Sequence, residues 1–301
     1  MSWSDLAHRG ETYALVCALL WAFGVILFRR SGEFLSPVVL NAFKSLVGLL
    51  LFLLTDLILG VRLFPPECGP ADWVITLSSG VAGIGLADTF FFRALNAIGA
   101  GRVAIVDCLY SPSVILCAFF YLREPMPWTL FLAVAMMVVA ILLGVFEPGS
   151  STRSLPRGRL LLGAAYATGA IFLTAAAVVA LKPILERSDV WWVSTVRLFA
   201  GVAFLFAHVA GSRHRLEVVP ALHHARTWRV ALPAAIVGTY LGFLFWNLGM
   251  KYTYATTASL LNQTSNILVL PLAWVFLHEP LGLRQWLAVL IGFTAAAVAM
   301  L

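Results

Sequence analysis

The sequence predicts an all-α integral membrane protein with ten transmembrane helices, arranged as two inverted five-helix repeats. Three observations carry this reading. First, 61% of the 301 residues are hydrophobic and only 11% are charged, against about 25% charged in a water-soluble domain. Second, ten apolar stretches are long enough to cross about 30 Å of hydrocarbon as helices of about 20 residues. Third, Leu122-Arg123-Glu124-Pro125 returns as Leu277-His278-Glu279-Pro280, 155 residues later. At the same offset Gly83 meets Gly238 and Asp107 meets Asn262. Nearer the N-terminus, at an offset of 153, Arg29 meets Lys182 and Lys44 meets Arg197. Each copy holds five spans. An odd number makes tandem copies cross the bilayer in opposite senses, the architecture of alternating-access carriers.

The spans of the first copy are expected at 12–28, 35–55, 73–92, 103–122 and 128–146. Those of the second are expected at 160–181, 190–210, 230–250, 255–277 and 283–301. The repeats are bounded at 11–147 and 158–301, and Pro, Gly and Ser mark the join at 147–156 as irregular. The runs are continuous, not alternating stretches of about ten residues, so helices are favoured over a barrel. The first run leads straight into Arg29-Arg30 without a small-residue cleavage site, so it reads as a span and not as a removed signal peptide. Trp73, Trp128, Trp191, Trp192, Trp228 and Trp286 stand at span ends, as in an interfacial aromatic belt.

The net charge of +6 does not point to nucleic acid, because the basic residues sit between spans. There they act as topology signals and headgroup contacts. Six of them share a side with the N-terminus: Arg9, Arg62, Arg123, Lys182, Arg187 and Lys251. Twelve lie opposite, which by the positive-inside rule places both termini outside the cytoplasm. The loop 211–229 carries four arginines and His214, His223 and His224, and reads as a solvated basic loop. The four cysteines form no CxxC pair, so neither a zinc site nor a disulfide framework is expected. No cofactor and no metal are expected. The chain lacks a G-x-x-x-x-G-K-[ST] loop and any H-E-x-x-H or G-x-S-x-G motif, which argues against direct ATP coupling and against an enzyme.

A charge at mid-bilayer costs about 2.5–3.5 kcal/mol or more, so each one asks for a reason. Four lie well inside the spans: Lys44, Asp88, Asp107 and Arg197. Lys44 falls near mid-span and leans toward the side that holds Asp88 and Asp107, each roughly 7–8 Å from the midplane, so the three are expected to form a neutralising cluster. One lysine cannot balance two ionised carboxylates, so one carboxyl is a candidate for proton coupling. Arg197 is the repeat partner of Lys44, yet the positions matching the two acids are Phe243 and Asn262. A buried guanidinium without a protein carboxylate either serves an anionic ligand or bonds helix carbonyls.

Uncharged polar groups fall on related faces. Asn41 sits one turn from Lys44, Tyr110 one turn from Asp107, and Asn266 one turn from Asn262. Tyr240 and Trp246 add aromatic contacts. The cavity candidates are therefore Lys44, Arg197, Asn41, Asp88, Asp107, Tyr110, Tyr240, Trp246, Asn262 and Asn266. Pro112 and Pro271 lie inside spans four and nine, where each can free a carbonyl for a cavity or a hinge. Glu124 and Glu279, each followed by proline, stand where one span ends and the next begins. They are read as helix caps or gating residues, and with the two prolines they complete the gating candidates.

This pattern resembles the EamA-type drug/metabolite transporter superfamily. The resemblance rests on the two five-span copies, Leu19-Leu20-Trp21-Ala22 in span one, the cations Lys44 and Arg197, Pro112, and the closing Leu-x-Glu-Pro of spans four and nine. It covers residues 11–301. It implies an inner-membrane carrier, often an exporter of amino acids or related metabolites, with a central cavity and both termini cytoplasmic. That orientation is opposite to the one given by the loop charges. One departure is clear: the position matching Pro112 is Ile267. The expected function is secondary transport of a small metabolite, with the bilayer as surroundings and a monomer or homodimer as the unit. The alternatives are a carrier of nucleotide-sugar or lipid-linked phosphate substrates, and a non-transporting membrane sensor or assembly subunit.

Overall fold

The computed structural model describes residues 3–123, 128–144, 155–279 and 282–298, and every regular element among them is a helix. In the first half these are α1 (Trp3–Ser31), α2 (Pro37–Leu59), α3 (Pro70–Ile98), α4 (Ala100–Leu122) and α5 (Thr129–Gly144). The second half has α6 (Arg157–Arg187), α7 (Val190–Ala210), a short α8 in a loop (Arg215–His223), α9 (Thr227–Tyr252), α10 (Ala255–Leu277) and α11 (Leu283–Val298). Eight are long and apolar enough to cross a membrane. The expected fifth and tenth spans appear as shorter apolar stretches, Phe131–Ala140 and Leu283–Ala295. Glu124, Pro125, Pro280 and residues 147–154 of the join lie outside the described residues.

The packing repeats the sequence duplication. α1 packs on α9 and α10, while its counterpart α6 packs on α3 and α4. α2 packs on its own counterpart α7, and α5 on its counterpart α11. Exchanging the two copies therefore maps the contact pattern onto itself. α2 and α7 run antiparallel. The Thr195 hydroxyl donates to the Asp56 carboxylate at one end (2.5 Å). Leu49 and Phe52 meet Leu198 and Val202 in the middle, and Val38 and Ala42 meet Leu205 and Val209 at the other end. Large apolar side chains cover the outside of the bundle, among them Leu50, Leu54, Leu57 and Ile58 of α2. Such a surface suits lipid, because water would penalise it.

One pair of irregularities and one single break shape the interior. α3 and α9 each contain a widened π segment, Gly80–Ala87 and Ala235–Leu241, at matching repeat positions. Such segments often mark functional sites. Gly80 lets α3 press against α7, since a Cβ there would lie 2.2 Å from the Arg197 carbonyl oxygen. The other irregularity is a break in α4, which is helical over Ala100–Asp107 and again over Tyr110–Leu122. Proline has no N–H, so Pro112 cannot bond the Cys108 carbonyl one turn back. The Gln263 amide of α10 donates there instead (3.4 Å), and also to the Asp107 carbonyl (3.1 Å). α10 has Ile267 at the position of Pro112 and stays helical throughout, including across its own Pro271.

Trp192 departs from the interfacial role expected of it. It is 1% exposed, stacks edge-on against Trp73, and donates its indole N–H to the Leu63 carbonyl (3.0 Å). The α2–α3 loop folds over the position, so a ring expected at the membrane surface becomes core.

Candidate functional site

The π segments, the α4 break and the midpoints of α1, α2, α6 and α7 enclose a central cavity of about 140 Å³. A water needs roughly 10–15 Å³ by this kind of measure, so the space suits a small molecule or a cluster of waters. Of the residues expected in it, Lys44, Asp88, Asp107, Tyr110, Arg197, Trp246 and Asn262 line the wall. Trp21, Phe91, Ile171 and Phe243 add apolar surface, and Cys17 and Thr174 also stand in the wall.

Three expected residues stand outside the lining. Asn41 is fully buried and donates to the Ile84 and Gly85 carbonyls (2.7 and 3.2 Å) and to Thr89 Oγ1 (2.9 Å). It repairs backbone within the widened turn of α3, a need that sequence spacing does not reveal. Tyr240 shares a hydrogen bond with Thr55 Oγ1 (2.7 Å) and packs edge-on against Phe52, which ties α9 to α2. Asn266 donates to Gln263 Oε1 (2.5 Å) and thereby orients the amide that serves the broken α4.

The four charges inside the spans do not form one cluster. Lys44 Nζ meets Asp88 Oδ2 at 2.6 Å and lies 5.6 Å from the centre of the Phe92 ring. That ammonium is taken up by Asp88. Among the described residues no cation lies within ion-pair distance of Asp107, so the expected three-membered cluster is a pair plus a lone carboxyl. Arg197 is 2% exposed and, among the described residues, has no carboxylate partner. Its guanidinium sits 5.0 Å from the Phe243 ring centre and 5.5 Å from that of Trp246, two rings that stack on each other. Nη1 makes only a long bond to Asn247 Oδ1 (3.4 Å), and Nε has no partner. Gly83 faces the guanidinium, its notional Cβ 3.4 Å from Nη2. The Tyr110 hydroxyl is also buried without a hydrogen bond. Phe243 replaces the acid of the first copy with a π face, so the cation is held on aromatic quadrupoles and its hydrogen-bonding edge stays largely unused.

Glu279 has a role different from the expected cap of its own following helix. His278 adopts a left-handed conformation (φ 52°), which ends α10 and turns Glu279 back toward the first repeat. There its two carboxylate oxygens accept from the Ala100 and Gly101 amides, both at 3.0 Å, and Arg29 Nε stands 3.6 Å away. A carboxylate on the positive end of a helix is favourable, and here the helix is α4. Gly99 (φ 83°) permits the approach, since a Cβ there would sit 2.8 Å from Glu279 Oε1. The contact joins α1, α4 and α10 at one end of the bundle, on one side of the cavity. Arg123 takes the matching left-handed conformation at the end of α4 (φ 56°). Glu279→Gln keeps one acceptor but loses the charge, at a cost of about 1–2 kcal/mol. The expected outcome is faster modification of Cys17 in the cavity wall by a soluble maleimide, read with the other three cysteines replaced by serine. An unchanged rate would show that this contact does not hold the cavity shut.

The model of the EamA-like transporter family matches residues 8–146 and again 161–301, and the chain belongs to that family. A solved crystal structure superposes with a TM-score of 0.69 over 96% of this chain and 95% of that chain, at 18% identity, a likeness of fold alone. Comparison with curated protein sequences finds no match.

Proposed function

We propose that this chain is a secondary transporter of the cell inner membrane that exports a small zwitterion of the amino-acid class by alternating access. The single observation carrying this is the charge arrangement of the cavity. Lys44 and Asp88 neutralise each other, which among the described residues leaves one guanidinium and one carboxyl without a protein counter-charge in the same small space. A ligand with a carboxylate and an ammonium would complete both. Arg197 offers the fork that matches a carboxylate, and Asp107 attracts the ammonium. The aromatic wall would take an apolar side chain. A polyphosphate such as a nucleotide sugar fits less well, because it would face a single unpaired cation beside an unpaired carboxyl group.

Inversion of the repeats is supported by the antiparallel packing of α2 on α7 and by the odd span number expected per copy. In this reading α4 and α10 part at the Glu279 end to open one side, and the break beside Pro112 bends to close the other. The test is thermal unfolding of the purified protein with a panel of ligands. Amino acids with apolar or aromatic side chains should raise the melting temperature. Their amides, lacking the carboxylate, and their N-acetyl forms, lacking the ammonium, should raise it far less. Equal stabilisation by all three forms, or by nucleotide sugars alone, would overturn the zwitterion assignment.

A further inference from the structure

A second cavity, of about 190 Å³, lies away from the first, between the loop helix α8 and the adjoining ends of α2 and α7. Leu35, Val39 and Leu46 line one wall, Phe206 and Val209 another, and Val218 and Ala221 the cover. Its only hydroxyl-bearing residue, Thr227, is fully buried and donates to the Ala221 carbonyl (2.6 Å). With no free polar group the slot cannot order water, and an apolar space of about 150 Å³ is known to stay dry and to take up apolar guests. From Leu35 to Leu46 the wall runs roughly 15 Å along the helix axis, from the end of the span toward mid-membrane.

The chain above this slot is basic. Arg213, Arg215, Arg226 and Arg229 flank the lining segments in sequence, are exposed, and form no ion pair among the described residues. The one acid of the loop helix, Glu217, is occupied by the Ser36 hydroxyl and by His214. The loop helix also presents Leu216, Val219 and Leu222 to its surroundings, 72%, 61% and 42% exposed. An apolar face under unpaired cations matches the boundary between acyl chains and headgroups. We propose that this slot is a binding site for one anionic phospholipid, with an acyl chain between α2, α7 and α8 and the phosphate against the loop arginines. A soluble protein partner would leave the depth of the slot unexplained.

The test uses the detergent-purified full chain and compares phosphatidylglycerol with phosphatidylcholine of identical chains, by native mass spectrometry and by thermal unfolding. Phosphatidylglycerol should be retained at one copy per chain and should raise the melting temperature more than phosphatidylcholine. The combined variant R213Q/R215Q/R226Q/R229Q should abolish that difference. Ala221→Phe, which fills the slot from the loop helix, should abolish retention of the lipid. The difference is read within each variant, so a change in basal stability does not obscure it. Equal effects of the two lipids on the native chain, equal stabilisation by inorganic phosphate, or full retention by Ala221→Phe would each overturn the proposal. None of these outcomes depends on the transport reading.

Discussion

Replacing Arg197 with alanine should abolish transport while leaving a folded protein. In the proposed complex the guanidinium makes two charge-assisted hydrogen bonds to the ligand carboxylate, each worth about 1.5–3 kcal/mol. Their loss corresponds to at least about a hundredfold weaker binding, at about 1.4 kcal/mol per factor of ten. The side chain has no carboxylate partner among the described residues, one long bond to Asn247, and two aromatic faces beneath it. Removing it therefore breaks no ion pair. Arg197→Met, which keeps most of the volume, should melt near the wild-type temperature and fail to respond to ligand. Arg197→Lys keeps the charge but not the planar fork, and should recover only part of the activity. The measurement is uptake into proteoliposomes alongside thermal unfolding of each variant. Unchanged flux in Arg197→Ala would remove this residue from the mechanism.

Lys44→Ala should behave in the opposite way, as a failure of stability. Its ammonium is 2.6 Å from Asp88 Oδ2. Truncating it strands a carboxylate within the membrane, and breaking a buried pair from one side costs about 3–5 kcal/mol. The Asp88 side chain retains 25% exposure toward the cavity, which places the expected cost at the lower end of that range. The double variant Lys44→Met/Asp88→Asn removes both charges together and should restore most of the loss. Thermal unfolding of the two single variants and the double decides the matter. If Lys44→Ala alone melts with the wild type, the pair is not holding α2 to α3. The two cations are repeat partners, yet one is matched within the protein and the other is not. That contrast separates a structural ion pair from a site awaiting a ligand.

Much of this was legible before any coordinates. The duplication, eight of the ten expected spans and the four charged positions inside them all follow from hydropathy and spacing. The replacement of Asp88 by Phe243 in the second copy is visible too, and it leaves Arg197 without the acid that its repeat partner has. Less visible was what took its place, because cation–π stacking on Phe243 and Trp246 depends on the pitch of α9 through its π segment. The same kind of distortion in α3 diverted Asn41 from the cavity to its backbone carbonyls. A helical-wheel argument assumes 3.6 residues per turn, and it fails where a turn is wider. Glu279 was picked out by its repeated motif, but its partner amides lie 178 and 179 residues away in sequence. Local capping rules point to the following helix and cannot find such a partner.

Gln263 and Cys108 occupy the same place in the two copies, and this has a consequence for how the halves recognise each other. The missing proton donor is in one half and the amide that supplies it is in the other. Two first halves set face to face would bring Cys108 against Cys108, with both freed carbonyls left bare. Two second halves would bring glutamine against glutamine with no freed carbonyl to serve. Pairing of two first halves is thus penalised by two bare carbonyls, whereas the mixed couple serves the one freed carbonyl that the tandem chain holds. At this contact the two copies have divided the donor and the acceptor between them.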